Sequence, residues 1–85
     1  MKKKQTEQPI QAAIIKDLES QGYYVIKMLL TNKNGIPDLI AIPNNSDVLF
    51  VEVKKPGGKT SPLQDYRKKE LESRGIKVLT KSSAK

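Results

Sequence analysis

Apolar residues recur along the chain at two spacings, which predict two helices and four strands. Ile10, Ile14 and Leu18 are four residues apart, so they share one face of a helix that we expect from about residue 7 to 21. Four shorter segments are rich in β-branched and aromatic residues, as is typical of strands. We expect these strands at residues 23–30, 38–42, 48–54 and 76–80.

Polar and glycine residues at the segment ends predict where the helices begin and end. Thr6 can cap the first helix, and Gly22 stands where a left-handed residue commonly ends one. Ser61 precedes a proline, and Gln64 follows three residues later, which is the spacing of a capping box. We expect this second helix to end near Gly75 and to have an apolar side formed by Leu63, Tyr66 and Leu71.

The predicted element order is α-β-β-β-α-β within one small domain that spans residues 1–85. Short flexible termini are expected at about residues 1–5 and 81–85. This order predicts an α/β (α+β) fold in which a mixed central sheet is flanked by helices.

The middle hairpin brings two acidic residues together. If Ile42 pairs with Val48 across the five-residue loop, Asp38 lies opposite Glu52. Opposed side chains have Cβ atoms about 4.5–5.5 Å apart, so two half-buried carboxylates there need a cation or a shared proton. A divalent metal such as Mg²⁺ meets this need, whereas Lys54 on the same face neutralises the pair only in part.

The same register predicts that the hairpin is buried on both sides. The face opposite the acids is apolar throughout, since side chains alternate along each strand. It consists of Leu39, Ala41, Leu49, Val51 and Val53.

A simpler interpretation of these acids remains open. Asp38 follows a proline and is then only a turn residue, while Glu52 and Lys54 form an exposed ion pair worth about 1 kcal/mol or less. A register slip of one residue also removes the acidic pair.

The composition limits the chemistry. The 85 residues include 16 Lys+Arg and 9 Asp+Glu, a formal charge of +7, and they contain no His and no Cys. Zinc sites of Cys and His, disulfides, thiol nucleophiles and imidazole bases are therefore excluded. The positive charge favours a polyanionic partner, and nucleic acid ahead of an anionic membrane.

The basic start of the chain does not predict a secretory signal. Lys2, Lys3 and Lys4 are followed by polar residues and not by the apolar region of a signal peptide. We therefore expect a soluble, cytoplasmic protein.

Three segments resemble the signature of PD-(D/E)XK nucleases, and more narrowly that of stand-alone phage VRR-NUC (virus-type replication-repair nuclease) domains. They are GIPDLI at 35–40, VEVKKPGGK at 51–59 and SPLQ at 61–64. Glu7 and Gln11 on the first helix, together with the element order, also resemble that family. The resemblance implies a restriction-endonuclease-like core.

The resemblance implies a phosphodiesterase that depends on Mg²⁺ or Mn²⁺. Asp38, Glu52 and the backbone carbonyl of Val53 would bind the metal. Lys54 would orient the attacking water or stabilise negative charge in the transition state, and Gln64 would reach the site from the second helix. Such chemistry needs no histidine.

Further residues have two interpretations each. Glu7 is either the helix-one acid of the site or a residue that stabilises the helix N-terminus. Gln64 is either catalytic or a capping residue. Lys33, Lys55 and Lys59 are either nucleic-acid contacts or solvated loop lysines.

The expected function is a structure-selective DNA endonuclease acting on branched duplexes such as four-way (Holliday) junctions. A sheet that is apolar on both faces is short of cover with only two helices, so we expect a homodimer. The alternatives are a non-catalytic DNA- or RNA-binding module on the same fold and, less well matched, a small ribosomal-type RNA-binding protein.

Overall fold

Two helices and four strands follow one another in the predicted order. The computed structural model describes residues 7–45 and 47–84, so the predicted Thr6 cap lies outside the described residues. In the described residues, neither helix is long and apolar enough to cross a membrane. The elements are α1 (Glu7–Ser20), β1 (Tyr24–Lys27), β2 (Leu39–Ile42), β3 (Leu49–Val53), α2 (Pro62–Ser73) and β4 (Lys77–Lys81).

The four strands form one mixed sheet in the order β1-β2-β3-β4. β1, β2 and β3 pair antiparallel, whereas β4 runs parallel to β3. A parallel neighbour requires a crossover connection, and α2 provides it between β3 and β4. The predicted mixed sheet with flanking helices is confirmed.

The register of the middle hairpin is the predicted one. Ile40 pairs with Phe50, and the flanking pairs keep the same offset. Because side chains alternate, one face of the hairpin points toward α1 and the other toward α2. The α1 face holds the core, formed by Ile14, Leu18, Leu39, Ala41, Leu49, Val51 and Val53.

Burial differs between the two faces, so the expectation of burial on both sides is only half met. The apolar hairpin residues of the α1 face are at most 8% exposed. On the α2 face, Ile40, Ile42 and Phe50 are half-buried. Tyr24 and Ile26, which pair with Ile42 and Ile40 from the edge strand, are 71% and 41% exposed.

The first strand is shorter than predicted. It ends at Lys27, and the exposed fractions of Leu29 and Leu30 reach 80% and 90%. The amide of Met28 still donates to the carbonyl of Asp38 at 2.9 Å. β2 begins only at Leu39, so the residues beyond Met28 have no strand to pair with.

Two other expectations are corrected at the C-terminal half. α2 has no buried residue, and its expected apolar side is largely in solvent, with Leu63 40% and Tyr66 57% exposed. Lys81, expected in a flexible tail, is the last residue of β4, and Ala84 packs against the core.

The loop before β2 is fixed against α2. Gly35 has φ +82°, and a Cβ added there would lie 2.8 Å from Cγ of Leu63. The Nε atom of Arg67 donates to the carbonyl of Asn34 at 2.8 Å. These contacts anchor the loop that leads to Asp38.

Replacing Gly35 with Ala is expected to lower the free energy of unfolding by about 2–4 kcal/mol, because a left-handed residue and overpacking each add strain. Gly22→Ala is the matched control, since Gly22 has φ +95° but no atom within 4 Å of an added Cβ. The control should lose only the backbone contribution of about 1–2 kcal/mol in urea unfolding. Equal losses in the two variants would contradict the close contact with α2.

Candidate functional site

Asp38 stands between the fixed loop and β2. Its Oδ2 atom accepts a hydrogen bond of 2.8 Å from the amide of Val53, at the end of β3. The backbone N–H of Val53 thus donates to a side chain and not to a backbone carbonyl of the neighbouring strand. It holds the Asp38 carboxylate next to the residue that follows Glu52.

Glu52 is a buried acid in the middle of the site. It is 5% exposed and lies on the α2 face of β3. Its Oε2 atom accepts a hydrogen bond of 2.7 Å from Nε2 of Gln64. The ammonium of Lys54 lies 3.9 Å from the same oxygen, too far for a hydrogen bond but close enough for electrostatic attraction.

Gln64 caps α2 and also contacts Glu52. The backbone N–H of Gln64 donates to Oγ of Ser61 at 3.1 Å. The side-chain Oε1 of Gln64 accepts from the backbone N–H of Ser61 at 2.9 Å, so the capping box is complete. The Nε2 atom of the same side chain donates to Glu52. Capping and contact with the site therefore occur together, because the amide carries an acceptor and a donor at opposite ends.

The oxygen donors here suit a hard divalent cation. Two carboxylates, from Asp38 and Glu52, are attached to neighbouring parts of the sheet. Among residues 7–45 and 47–84, no group of three or more His, Cys, Asp or Glu could hold a metal. Mg²⁺ is commonly held by one or two carboxylates and keeps several waters, so this donor set fits it.

The other predicted site residues are dispersed. Lys55 and Lys59 are exposed on the loop after β3, where the amide of Gly58 donates to the carbonyl of Lys55 at 2.9 Å. Glu7 begins α1, which packs on the opposite face of the sheet, and its side chain lies outside the described part of the chain.

Lys33 lies near an acid of α2. A hydrogen bond from Arg67 lowers the pKa of the Glu70 carboxyl; burial opposes this, and the positive charges of Arg67 and Lys33 add to the lowering. Arg67 Nη1 lies 2.9 Å from Oε1 of Glu70. Lys33 itself is exposed.

Sequence inspection missed three residues that line a cleft with Glu52 and Gln64. They are Thr60, Lys68 and Thr80. Lys68 could have been found, since it follows Gln64 by four residues and so shares its helix face. Thr80 could not, because its position beside Glu52 depends on the pairing of β3 with β4.

Comparison with known proteins identifies relatives of the chain. A family model described as the VRR-NUC domain matches residues 24–84. The protein named "Putative nuclease p44", from Acyrthosiphon pisum secondary endosymbiont phage 1, is 31% identical over 78 residues, which cover 91% of this chain and 83% of that protein.

Solved structures agree with this match. One, titled "VRR_NUC domain", has 29% identity and a TM-score of 0.81 over 92% of this chain and 85% of that one. Another, titled "VRR_NUC domain protein", has 22% identity and a TM-score of 0.78 over 98% of this chain and 82% of that one, and it shows the fold alone. With the family model spanning most of its length, the chain belongs to the VRR-NUC domain family and is a nuclease domain.

Proposed function

We propose that this domain is a divalent-metal-dependent, structure-selective endonuclease that hydrolyses phosphodiester bonds in branched DNA, such as four-way junctions. The observation that carries this proposal is the buried Glu52 carboxylate, bound by Gln64 and faced by Lys54, beside an Asp38 fixed to the next residue of the same strand. A purely structural ion pair would not require a second acid at this place.

Asp38, Glu52 and the backbone carbonyl of Val53 would hold Mg²⁺ or Mn²⁺. When bound, the ion supplies Lewis acidity toward a phosphoryl oxygen and lets water act as a nucleophile near neutral pH. The hydrogen bond from Val53 keeps Asp38 oriented, and burial of Glu52 keeps competing water away from its carboxylate. The protein therefore prepares both acids before any ligand binds.

Lys54 and Gln64 act on this pair in different ways. The Lys54 ammonium stabilises negative charge that develops on the phosphoryl group or orients the attacking water. Gln64 is a positioning residue, because its amide is fixed by Ser61 at one end and holds Glu52 at the other.

The surrounding charge supports a nucleic-acid substrate. The chain has a formal charge of +7, and exposed lysines such as Lys55 and Lys59 follow the strand that carries Glu52. Binding through phosphates is largely independent of sequence and weakens steeply with salt. A non-catalytic DNA- or RNA-binding module would share this charge. Only a nuclease would need Asp38 and Glu52, so substituting these acids distinguishes the two functions.

Asp38→Asn and Glu52→Gln are each expected to lower metal-dependent cleavage of a four-way junction by roughly a hundredfold or more, because each removes a metal-binding charge. Affinity for the same junction in EDTA should stay equal or rise, since a negative charge is lost. Asp47→Asn and Glu72→Gln, at exposed positions, are matched controls that should cleave normally. Full cleavage by both site variants would leave only the binding module.

Lys54→Met is expected to lower kcat by roughly 10²-fold with little change in KM, because its charge acts on the transition state. Lys16→Met, at an exposed position on α1, is the control for loss of one positive charge. Steady-state kinetics on a junction substrate measure kcat and KM separately for the wild type and both variants. A rise in KM with an unchanged kcat would mean that Lys54 only binds DNA.

The incompletely covered sheet face supports a homodimer. Tyr24, Ile26, Ile40, Ile42 and Phe50 lie on one face and continue from the exposed edge strand toward the middle of the sheet. Contiguous exposed apolar surface of this kind marks association sites. We propose that a second copy covers it, and two sites related by a two-fold axis would suit symmetric cutting of a junction.

Ile26→Lys is expected to convert the dimer to a monomer in light scattering, because it places a charge within the contact. Ile26 is 41% exposed, so a lysine there does not need to be buried in the monomer. Leu30→Lys, at a 90% exposed loop position outside this face, should leave the dimer intact. A wild-type chain that is monomeric at high micromolar concentration would refute the dimer.

A further inference from the structure

Lys68 is a half-buried cation beside the candidate active site. It lies one helical turn after Gln64 on α2, and it lines the same cleft as Gln64 and Glu52. Its neighbour Lys69 is exposed. The two adjacent lysines therefore differ in environment although they share one helix.

No carboxylate of residues 7–45 and 47–84 forms an ion pair with Lys68. The Lys68 side chain takes part in no ion pair or hydrogen bond with any of these residues. On α2, Oδ1 of Asp65 instead accepts a hydrogen bond of 2.6 Å from Oγ1 of Thr60, and Glu70 pairs with Arg67. The charge of Lys68 thus remains available to a ligand.

This arrangement has an energetic consequence. A partly buried ammonium without a partner costs stability, and an exposed position would avoid that cost. Two acids line the same cleft, and both have partners: Glu52 is bound by Gln64 and faced by Lys54, and Asp65 is bound by Thr60. An anion that enters the cleft would therefore be attracted to Lys68 without displacing a protein contact.

A hydroxyl group completes the donor set. Thr80 lies beside Glu52 in the β3–β4 ladder and lines the same cleft. An ammonium and a hydroxyl next to an acid that would hold a metal match the oxygens of a phosphodiester. Neither group offers the planar edge contacts that would read a base.

We propose that this cleft is a phosphate-binding subsite in which the Lys68 ammonium contacts a non-bridging oxygen of the DNA backbone and the Thr80 hydroxyl donates to a second oxygen. The subsite holds one strand against the α2 side of Glu52. This inference rests on the proposed function in so far as the ligand is DNA. It concerns substrate binding and requires no metal.

The test compares Lys68→Met with Lys69→Met, which remove the same charge from a half-buried and an exposed position of one helix. Binding of a fluorescent four-way junction is measured by anisotropy in EDTA over a range of salt concentrations. Lys68→Met should weaken binding by about tenfold, as expected for a charged hydrogen bond, and reduce the salt slope by about one. Lys69→Met should stay within about twofold of wild type.

Two further measurements exclude a structural role. The thermal unfolding midpoint of Lys68→Met should equal or exceed that of wild type, since an unpaired charge is removed from a half-buried place. Lys68→Arg should keep most of the DNA affinity. A lower midpoint for Lys68→Met, with no retention of affinity by Lys68→Arg, would overturn the subsite.

The outcomes separate this subsite from the nuclease proposal. Equal weakening by Lys68→Met and Lys69→Met would overturn the subsite even if wild type cleaves junctions. Selective weakening by Lys68→Met would support the subsite even if no cleavage is seen, in which case the catalytic proposal alone fails.

Discussion

Burial of one carboxylate is the constraint on which the arrangement of this domain depends. Glu52 is 5% exposed in a strand whose other residues are apolar, and a buried charge is costly unless it is hydrogen-bonded and paired. Gln64 supplies the hydrogen bond and Lys54 the opposite charge. The first turn of α2 must therefore sit over β3, and the capping box with Ser61 holds it there.

The two faces of the sheet have different roles: one packs the hydrophobic core, and the other carries the candidate site. Toward α1 the hairpin side chains are apolar and buried, with Ile14 and Val51 fully enclosed, so packing on that side holds the fold together. Toward α2 the sheet carries Glu52 and Thr80, and α2 itself contributes Gln64 without burying any residue. A helix that contributes little to the core is free to present polar groups to a ligand.

Several features could be predicted because they depend on short-range geometry. The length of the loop between β2 and β3 set the pairing of Ile40 with Phe50, and the Ser61–Gln64 spacing set the capping box. The first strand shows the limit of such inference, because it was predicted to be longer than it is. Apolar composition continued to Leu30, but a strand needs a partner, and β2 begins only at Leu39.

The sequence by itself determined the element order, the hairpin register, the family resemblance and the acids and lysine of the candidate site. Local propensity, turn length and side-chain alternation act within a few residues, so their effects can be predicted without a structure. Only the tertiary structure decided that Gln64 both caps α2 and binds Glu52, and that Lys68 and Thr80 join them. Those contacts depend on the parallel crossover through α2, whose placement follows from packing between residues distant in sequence.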